Sequence, residues 1–364
     1  MTKDMQELVR LMDALDGISF VAPVFGHDMP TVGRDVLMLR ELFRNTSKHV
    51  HLRTFTRQSF EFMCEMAAIV AGGKEALKKR PVVSLLEAPV SPLKFLDISV
   101  DAYDLCGEYG IPVDICVMPI AGGTGPNTMA GNVLLFNTEF LAGVVIHQSM
   151  HPGAPLQYAP RPMVMEMRVG VGLVGTIETG MMSAAGAQMA SYYQVPVSLH
   201  GPWTDSMLHD GQSTFERTYL NLMAALGGAN VLVGSGMIQQ SLVISHEQLV
   251  IDDEVNRTVF YVMEGLDVDE GLLGEEAIDR VGPGGNYLAD EHTIQYLRGY
   301  QYQPALLYRQ SREQWVENGS QTFVERARER AQAIRAEHKP LPLPAGIAQD
   351  LDTLVDEAMK SLTK

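Results

Sequence analysis

Residues 82–118 read VVSLLEAPVSPLKFLDISVDAYDLCGEYGIPVDICVM, and this stretch contains the pattern that decides the fold. Val82–Glu87 and Val113–Met118 are short, almost continuously apolar runs, as expected of strands that are buried on both faces. Leu93–Tyr109 between them has helical spacing and ends at Gly110, a residue typical of helix C-termini. The stretch therefore predicts a strand–helix–strand unit with parallel strands.

The same pattern recurs along most of the chain. Further apolar runs predict strands at Ile18–Ala22, Val50–Thr54, Leu156–Ala159, Val197–His200 and Val231–Gly234. Further helices are predicted at Pro30–Arg44, Gln58–Ala71, Asn132–Met150, Met181–Tyr193, Ser206–Leu226 and Ser245–Glu264. Seven such units indicate an α/β fold in which helices cover a parallel sheet.

Two α/β architectures agree with this order of elements. A doubly wound sheet usually has a glycine-rich turn after its first strand, and residues 22–27 lack that pattern. In a barrel the functional groups are spread over many strand ends, as the polar and aromatic residues are here. We therefore expect a TIM-type (β/α)8 barrel. Seven strands are recognised, so either one has been overlooked or the first strand unit is absent; a helix at Met5–Leu15, leading into the first recognised strand, favours the second alternative.

The C-terminal part has a different character. Trp315–His338 is rich in Arg and Glu and predicts a charged helix, residues 339–344 alternate with proline and form a rigid linker, and Ile347–Leu362 predicts an amphipathic helix. We expect a barrel domain over residues 1–310 and a C-terminal helical extension over residues 311–364 that packs on the barrel.

The composition argues against several classes of protein. The chain has 364 residues and a formal net charge of −16, and it has no basic stripe that would neutralise nucleic-acid phosphates. Its three cysteines, Cys64, Cys106 and Cys116, form no CxxC motif, as is usual in a reducing compartment. The apolar stretches are interrupted every few residues. We therefore expect a cytoplasmic protein that binds neither nucleic acid nor membrane.

Two loops after predicted strands carry groups suited to ligand binding. Pro119–Gly131 is rich in glycine, which lets main-chain N–H groups approach a ligand near a helix N-terminus, although a tight strand-to-helix turn explains it equally well. His200–Gln212 crowds histidine, tryptophan and acidic side chains at one strand end. Helix capping by Thr204 or Asp205 would explain one of these residues, so we expect the loop to take part in function.

Two later segments allow two interpretations each. In Ser245–Glu254, Ser245 and Gln248 form a capping box, so Glu247 is either a surface charge or a site residue. Val281–Leu288 contains three glycines and a proline and predicts a loop, which is either structural or a lid over the barrel mouth.

A metal site is not expected. His147 and His151 have the helical spacing of a zinc pair, but no glutamate follows His147 as in the zinc-binding motif.

Five segments together resemble the trimethylamine methyltransferase superfamily, whose members are corrinoid-dependent methylamine methyltransferases. The matching segments are residues 122–131 (GGTGPNTMAG), 151–155 (HPGAP), 204–206 (TDS) with Asp210 and Gln212, 245–254 (SHEQLVIDDE) and 281–285 (VGPGG). The resemblance implies a TIM-type barrel whose mouth docks a small corrinoid protein. It also implies transfer of a methyl group from a small methylated amine to the Co(I) corrinoid (a cobalamin) of that protein.

The loop near Trp203 indicates a branch of the family. Trimethylamine enzymes of the family carry pyrrolysine in this loop, and the present chain has ordinary residues there. It therefore resembles the non-pyrrolysine branch, of which glycine betaine methyltransferase is the known type. The resemblance implies a quaternary, betaine-type amine as methyl donor.

The resemblance also implies a set of site residues. The expected catalytic residues are Asp205 and Glu247. The expected substrate-binding residues are Trp203, Tyr158 and Phe55 as aromatic walls for a quaternary cation, and His200, His27 and Arg53 as donors to a carboxylate. The expected corrinoid-facing residues are Gly122, Gly123, Thr124, Gly125, Asn127, Gly284 and Gly285.

Two other hypotheses stay open at this point. Family members usually carry a further N-terminal segment, which motivates a truncated, non-catalytic paralogue that binds methylated amines or the corrinoid protein. The other hypothesis is an unrelated barrel enzyme, such as a metal-dependent lyase. The expected partners are a small methylated amine, a small corrinoid protein and a second copy in a homo-oligomer.

Overall fold

The computed structural model describes residues 2–24 and 26–363, which form a mixed α/β fold. The strands are β1 Phe20–Val21, β2 His49–Leu52, β3 Val83–Glu87, β4 Val113–Val117, β5 Ile120–Ala121, β6 Leu156–Pro160, β7 Met163–Glu166, β8 Val171–Leu173, β9 Ser198–His200, β10 Val231–Val233, β11 Met237–Ile238 and β12 Val243–Ile244. The helices are α1 Thr2–Ala14, α2 Arg34–Asn45, α3 Arg57–Ala71, α4 Lys74–Lys79, α5 Asp97–Tyr109, α6 Met129–Met150, α7 Ile177–Tyr193, α8 Gly211–Gly227, α9 His246–Glu264, α10 Glu270–Leu273, α11 Glu275–Val281, α12 Glu291–Tyr296, α13 Arg312–Glu317, α14 Phe323–Glu337 and α15 Ala345–Leu362.

Seven strands lie parallel and follow one another around a partial barrel. β1, β2, β3, β4 and β6 form one hydrogen-bonded sheet in that order. A parallel bridge between Tyr158 and Val197 connects β6 to β9, and β9 pairs in parallel with β10. These are the seven strands predicted from the apolar runs, so the parallel α/β fold is confirmed.

The barrel is not closed by hydrogen bonds. Among the described residues, the outer edges of β1 and β10 have no hydrogen-bonded strand partner, and no eighth barrel strand is present. The segment before β1 is instead bonded to α9: the Gly17 N–H donates to Asp253 Oδ1 at 2.7 Å, and the Asn256 amide donates to Gly17 O at 2.8 Å. Phe20 of β1 and Val231 of β10 both line the cavity that lies between these edges.

The helices between the strands cover the outer face of the sheet. Tyr158 of β6 shows this packing, since its ring stacks on Phe140 of α6 with centroids 3.9 Å apart. The Tyr158 hydroxyl donates to Asn137 Oδ1 at 3.2 Å. The main hydrophobic core therefore lies between the sheet and its helices.

Helix α6, Met129–Met150, has the length and apolar composition of a membrane span. In this fold it connects two strands and buries Asn132, Glu139 and His147. Glu139 also accepts a hydrogen bond of 2.9 Å from the Ser91 hydroxyl. Buried polar side chains of this kind fit a helix packed on a sheet, and α6 is one of the covering helices.

One helix begins later than its apolar pattern predicts. The expected helix Ser206–Leu226 begins only at Gly211, because Asp210 is its N-cap and accepts a hydrogen bond from the Ser213 N–H at 2.9 Å. The cap is therefore Asp210 rather than Thr204 or Asp205. The residues before it form a loop at the carboxyl end of β9.

The prediction of a single helix over Trp315–His338 is wrong. Gly319 and Ser320 have φ angles of 87° and 55°, in the left-handed region that interrupts a helix. Thr322 and Glu325 then form a reciprocal capping box that starts α14. Ser245 also caps a helix through the Gln248 N–H, but the expected capping box is absent, because the Gln248 side chain bonds to His209 and Asp252 instead.

The C-terminal helices pack on the helices of the barrel. α14 contacts α9 and α1, and Arg328 pairs with Glu247 at 3.1 Å. α15 contacts α2 and α3, and Arg44 pairs with Asp352 at 2.5 Å. A boundary between two parts at residue 310 stays a prediction.

Candidate functional site

The barrel strands surround a cavity of about 750 Å³ that extends into the space between β1 and β10. Its walls are mainly apolar and include Phe20, Met118, Met163 and Leu232. The polar side chains of the lining are Ser19, His51, Arg53, Arg161, Asn230, Ser235, Gln240, Ser241 and Asn256. An apolar cavity with a few convergent polar groups is the usual form of a small-molecule site.

Trp203 forms one wall of the cavity, in the loop after β9. Its ring stacks on His200, with centroids 4.2 Å apart and an interplanar angle of 24°. It also lies directly against the main chain of Gly234, whose φ is 118°, since a Cβ at that position would be 1.3 Å from Trp203 Cδ1. Because glycine has no side chain, the Trp203 indole can occupy the space that a Cβ of residue 234 would fill.

His200 lies behind the indole and is fully buried. Neither ring nitrogen has a hydrogen-bond partner among the described residues, and the same holds for Trp203 Nε1. Burial, and then the positive charge of Arg161, lowers the pKa of His200 well below its usual range. The imidazole is therefore neutral at neutral pH.

Arg161 follows β6 and reaches the same cavity, with 2% of the residue exposed. Its guanidinium donates to Pro160 O at 3.1 Å, to Ser198 Oγ at 2.5 Å and to Ser198 O. Arg161 is not among the site residues predicted from the sequence. Its only local signal is a charged residue directly after an apolar strand, in the sequence Ala-Pro-Arg-Pro at residues 159–162.

A second polar group lies deeper in the barrel. His51 Nε2 is 2.8 Å from Asp114 Oδ2, and the Gln157 amide donates to Asp114 Oδ1. His49 Nε2 lies 2.8 Å from the Ser84 hydroxyl, and burial, followed by the charge of His51, lowers the pKa of His49 to about 4. One Asp114 oxygen therefore accepts a hydrogen bond from Gln157, and the other lies beside the His51 ring.

A buried ion pair holds the two loops that form the wall around Trp203. Arg217 of α8 and Asp252 of α9 are 2.7 Å apart, and both side chains are fully buried. Arg217 also donates to Pro202 O and Met237 O, and Asp252 accepts from the Gly236 N–H at 2.6 Å. The loops after β9 and β10 are therefore fixed by side chains of two helices.

The two predicted catalytic carboxylates bond to other parts of the protein. Asp205 accepts hydrogen bonds from the Val174 and Gly175 N–H groups at 2.9 and 2.8 Å. Glu247 accepts from the Ser245 hydroxyl at 2.9 Å and pairs with Arg328. Neither carboxylate lines the cavity. Their catalytic role stays a prediction, and the geometry gives each a structural one.

Arg53 and Trp203 are the two predicted substrate-binding residues that line the cavity. His200 does not line the cavity itself but stacks on Trp203, which does. The other three lie elsewhere: Tyr158 faces the helices, and Phe55 and His27 are exposed and do not line the cavity.

In the glycine loop after β4, the main-chain N–H groups form hydrogen bonds within the loop itself. The Gly123 and Gly125 N–H groups donate to Ile120 O at 2.8 and 2.9 Å, and the Gly122 N–H donates to Gly125 O at 3.1 Å. The Thr124 hydroxyl accepts from the Ile120 N–H at 3.0 Å. These amides therefore bond within the loop, as the tight-turn interpretation predicts.

A small sheet connects this glycine loop to the loop after β9. β5 pairs with β7, and β7 pairs with β8. The residues that follow β8, Val174 and Gly175, donate to Asp205 in the loop after β9. The two loops therefore lie at the same edge of the barrel, the carboxyl edge of its strands.

The remaining residues predicted to face the corrinoid are exposed. Asn127 is exposed in the glycine loop, and Gly284 and Gly285 are exposed in the loop after α11. In the described part of the chain, no residue beyond Met263 lines the cavity. Contact of these residues with a corrinoid protein stays a prediction.

Metal-ligating side chains are dispersed. Among residues 2–24 and 26–363, no three histidine, cysteine, aspartate or glutamate side chains gather as a metal site. His151 Nε2 lies 2.9 Å from Asp104 Oδ1, whereas His147 is buried with its ring 5.6 Å from that of Tyr103.

Comparison with known proteins decides the family. The model of the trimethylamine methyltransferase (MTTB) family matches residues 1–363. The chain belongs to this family. Trimethylamine methyltransferase MttB of Desulfitobacterium hafniense is 33% identical over 356 residues, which are 98% of this chain and 72% of that protein. MttB of Methanosarcina barkeri is 33% identical over 365 residues, 99% of this chain and 73% of that protein.

A relative named after a different substrate has nearly the same sequence identity to this chain as the trimethylamine methyltransferases. Glycine betaine methyltransferase of Desulfitobacterium hafniense is 32% identical over 336 residues, which are 92% of this chain and 70% of that protein. The resemblance inferred from the sequence is thus confirmed. Among solved structures, a dihydropteroate synthase of Coxiella burnetii superposes with a TM-score of 0.44 at 10% identity, over 72% of this chain and 86% of that one.

Proposed function

We propose that the protein is a methyltransferase that takes a methyl group from a quaternary, betaine-type amine, with the Co(I) corrinoid of a small partner protein as acceptor. The observation that carries the proposal is the position of Trp203, held by Gly234 in the wall of an apolar cavity. Membership of a methyltransferase family and the similarity to a glycine betaine methyltransferase support it.

A quaternary ammonium group has no N–H, so the protein holds it by contact rather than by hydrogen bonds. An aromatic ring attracts such a cation, and an apolar cavity excludes water from it. Trp203 and the apolar lining provide both features. The chain's contribution to the reaction is therefore to position one methyl group and to keep the site dry.

The corrinoid of the partner protein would supply the electron pair that forms the new bond to the methyl group, and the electrons of the broken C–N bond would stay on nitrogen. The leaving tertiary amine is neutral and needs no proton. This chemistry requires no acid beside the substrate, which agrees with Asp205 and Glu247 being bonded elsewhere.

The loops after β4 and β9 lie at one edge of the barrel, and their exposed residues offer the surface on which we propose that the corrinoid protein docks. The three cysteines are free and buried, in keeping with our proposal of a cytoplasmic, reducing location. Homo-oligomer formation is part of the proposal as an expectation from the sequence.

The test is demethylation of a panel of amines by the purified protein with reduced cobalamin in solution. The panel contains glycine betaine, proline betaine, carnitine, choline and trimethylamine, and mass spectrometry detects the demethylated amine. We expect a betaine to be demethylated only when the corrinoid is reduced. Failure of folded protein to demethylate any member would overturn the proposal.

A matched pair of variants connects the activity to the cavity. Trp203→Leu removes the aromatic wall, whereas Trp315→Leu removes the other tryptophan, which donates to Gln321 O in the C-terminal part. We expect turnover to fall at least about tenfold in the first variant and to stay within about twofold in the second. Binding of a betaine without turnover would favour the non-catalytic paralogue, which the comparisons do not support.

A further inference from the structure

We propose that Arg161 binds an anionic group of the substrate, a carboxylate, and that the protein thereby selects zwitterionic methylated amines over purely cationic ones. The inference rests on the proposed function, because it takes the barrel cavity as the substrate site. It adds a residue and a basis for selectivity that neither the sequence motifs nor the relatives' names provide.

The hydrogen bonds of Arg161 within the protein leave part of its guanidinium free. The group has five N–H donors. Three of them are accounted for by Pro160 O, Ser198 O and Ser198 Oγ. The Nε–H and one Nη2–H have no acceptor among the described residues. Since Arg161 lines the cavity, we infer that these donors are available to a ligand.

The charge of Arg161 is also uncompensated at close range. No carboxylate oxygen of the described residues lies within 4.0 Å of its guanidinium. Asp114 belongs to the same barrel interior and acts on Arg161 from a longer distance, but its carboxylate lies beside His51 and Gln157 and does not contact the guanidinium. A buried cation without an anion in contact is costly to maintain, and a bound anion would relieve that cost.

Two further ionisable groups close to Arg161, Cys116 and His200, do not supply the missing anion. Burial raises the pKa of the Cys116 thiol, so it is uncharged at neutral pH. His200 is neutral for the reason given above. Arg53, which lines the same cavity, adds a second positive charge. The charged side chains that line the cavity, Arg53 and Arg161, are therefore both positive and suit a carboxylate.

Arg161 and Trp203 are placed to receive the two ends of one small molecule. Arg161 follows β6, Trp203 follows β9, and these strands are neighbours through the Tyr158–Val197 bridge. The bonds from Arg161 to Ser198, the first residue of β9, join the two elements directly. A carboxylate at Arg161 and a quaternary nitrogen at Trp203 would thus be held by adjacent strands.

The experiment compares glycine betaine with choline by isothermal titration calorimetry, without any corrinoid. Both molecules carry a trimethylammonium group, and choline has a hydroxyl group where glycine betaine has a carboxylate. We expect the wild-type protein to bind glycine betaine at least about tenfold more tightly, as the loss of a charge-assisted hydrogen bond predicts. Equal affinity for the two ligands would overturn the inference.

Variants assign the selectivity to Arg161. Arg161→Gln retains a donor for Ser198, and we expect it to lose about 10- to 100-fold in affinity for glycine betaine while its affinity for choline changes little. Arg168→Gln is the matched control, because Arg168 is exposed and pairs with Glu166 outside the cavity. Equal loss of both ligands in Arg161→Gln, with the circular dichroism spectrum unchanged, would refute the role of Arg161.

A second variant keeps the test decisive if Arg161→Gln does not fold. Arg53→Gln changes an exposed side chain of the same cavity. We expect it to weaken binding of glycine betaine and not of choline, and equal weakening of both ligands would contradict the inference. Because these titrations need no methyl transfer, selective binding without turnover would overturn only the proposed function. Turnover without selectivity would overturn only this inference.

Discussion

Substitution of Gly234 by alanine tests how the cavity wall is built. The added Cβ would lie 1.3 Å from Trp203 Cδ1 and 1.5 Å from Nε1, so the indole has to move. Displacement of a packed side chain costs about 1–3 kcal/mol, and a φ of 118° adds roughly 1–2 kcal/mol for a residue with a side chain. We expect a loss of about 2–5 kcal/mol in the free energy of unfolding, together with weaker binding of quaternary amines.

The assay is urea unfolding followed by far-UV circular dichroism, with Gly228→Ala as the matched control. Gly228 has a φ of 106°, but no atom lies within 4 Å of its added Cβ, so only the backbone cost of roughly 1–2 kcal/mol applies. A double-mutant cycle isolates the contact itself. In a Trp203→Ala background, Gly234→Ala should cost no more than Gly228→Ala does. An equal cost of Gly234→Ala with and without the indole would refute the packing described here.

Three further predictions concern the buried charges. Arg217→Met should lower the free energy of unfolding by about 3–5 kcal/mol, since it leaves Asp252 buried without its partner. If urea unfolding shows a loss of stability no larger than that of Arg168→Met, this prediction is contradicted. Burial opposes ionisation of Glu247, but its own N–H, the Ser245 hydroxyl and Arg328 together lower its pKa to about 2, below the ordinary 4.5. The ionised carboxylate therefore stabilises the fold above pH 4.5, and this contribution is lost as the pH falls towards 2. In Glu247→Gln, the free energy of unfolding should therefore fall less steeply as the pH is lowered below 4.5. The variant should also keep full turnover if the residue is structural. Loss of turnover in a stable variant would restore its catalytic assignment. Burial and then the charge of Arg161 lower the pKa of His200, so the free energy of unfolding should fall as the pH drops below 6.5. The ¹⁵N chemical shifts should show a neutral His200 imidazole at pH 6. A charged ring at that pH would count against its buried position.

The sequence predicts the frame of this fold because the frame depends on local patterns. All seven barrel strands follow from apolar runs, and the helix ends at Gly72, Gly110 and Gly228 follow from glycine in the left-handed conformation. The helix break at Gly319 was missed because charged residues on both sides continue a helical composition. β5, β7 and β8 are short and depend on contacts between separate loops, which no local pattern shows.

The site was predictable in part, for a related reason. Trp203 and Arg53 could be selected because they follow strands that end at the cavity. The role of Arg161 depends on what is missing around it, namely a carboxylate within 4.0 Å among the described residues, and such an absence is visible only in three dimensions. Conversely, Tyr158 also belongs to a strand, but its ring points to the helices, which alternation along a strand decides.

The most direct test is a crystal structure of the protein with glycine betaine. We predict that the trimethylammonium group lies within about 6 Å of the centre of the Trp203 ring and that the carboxylate bonds to Arg161. A betaine bound outside the barrel, or one whose carboxylate faces the apolar wall away from Arg161, would contradict the account.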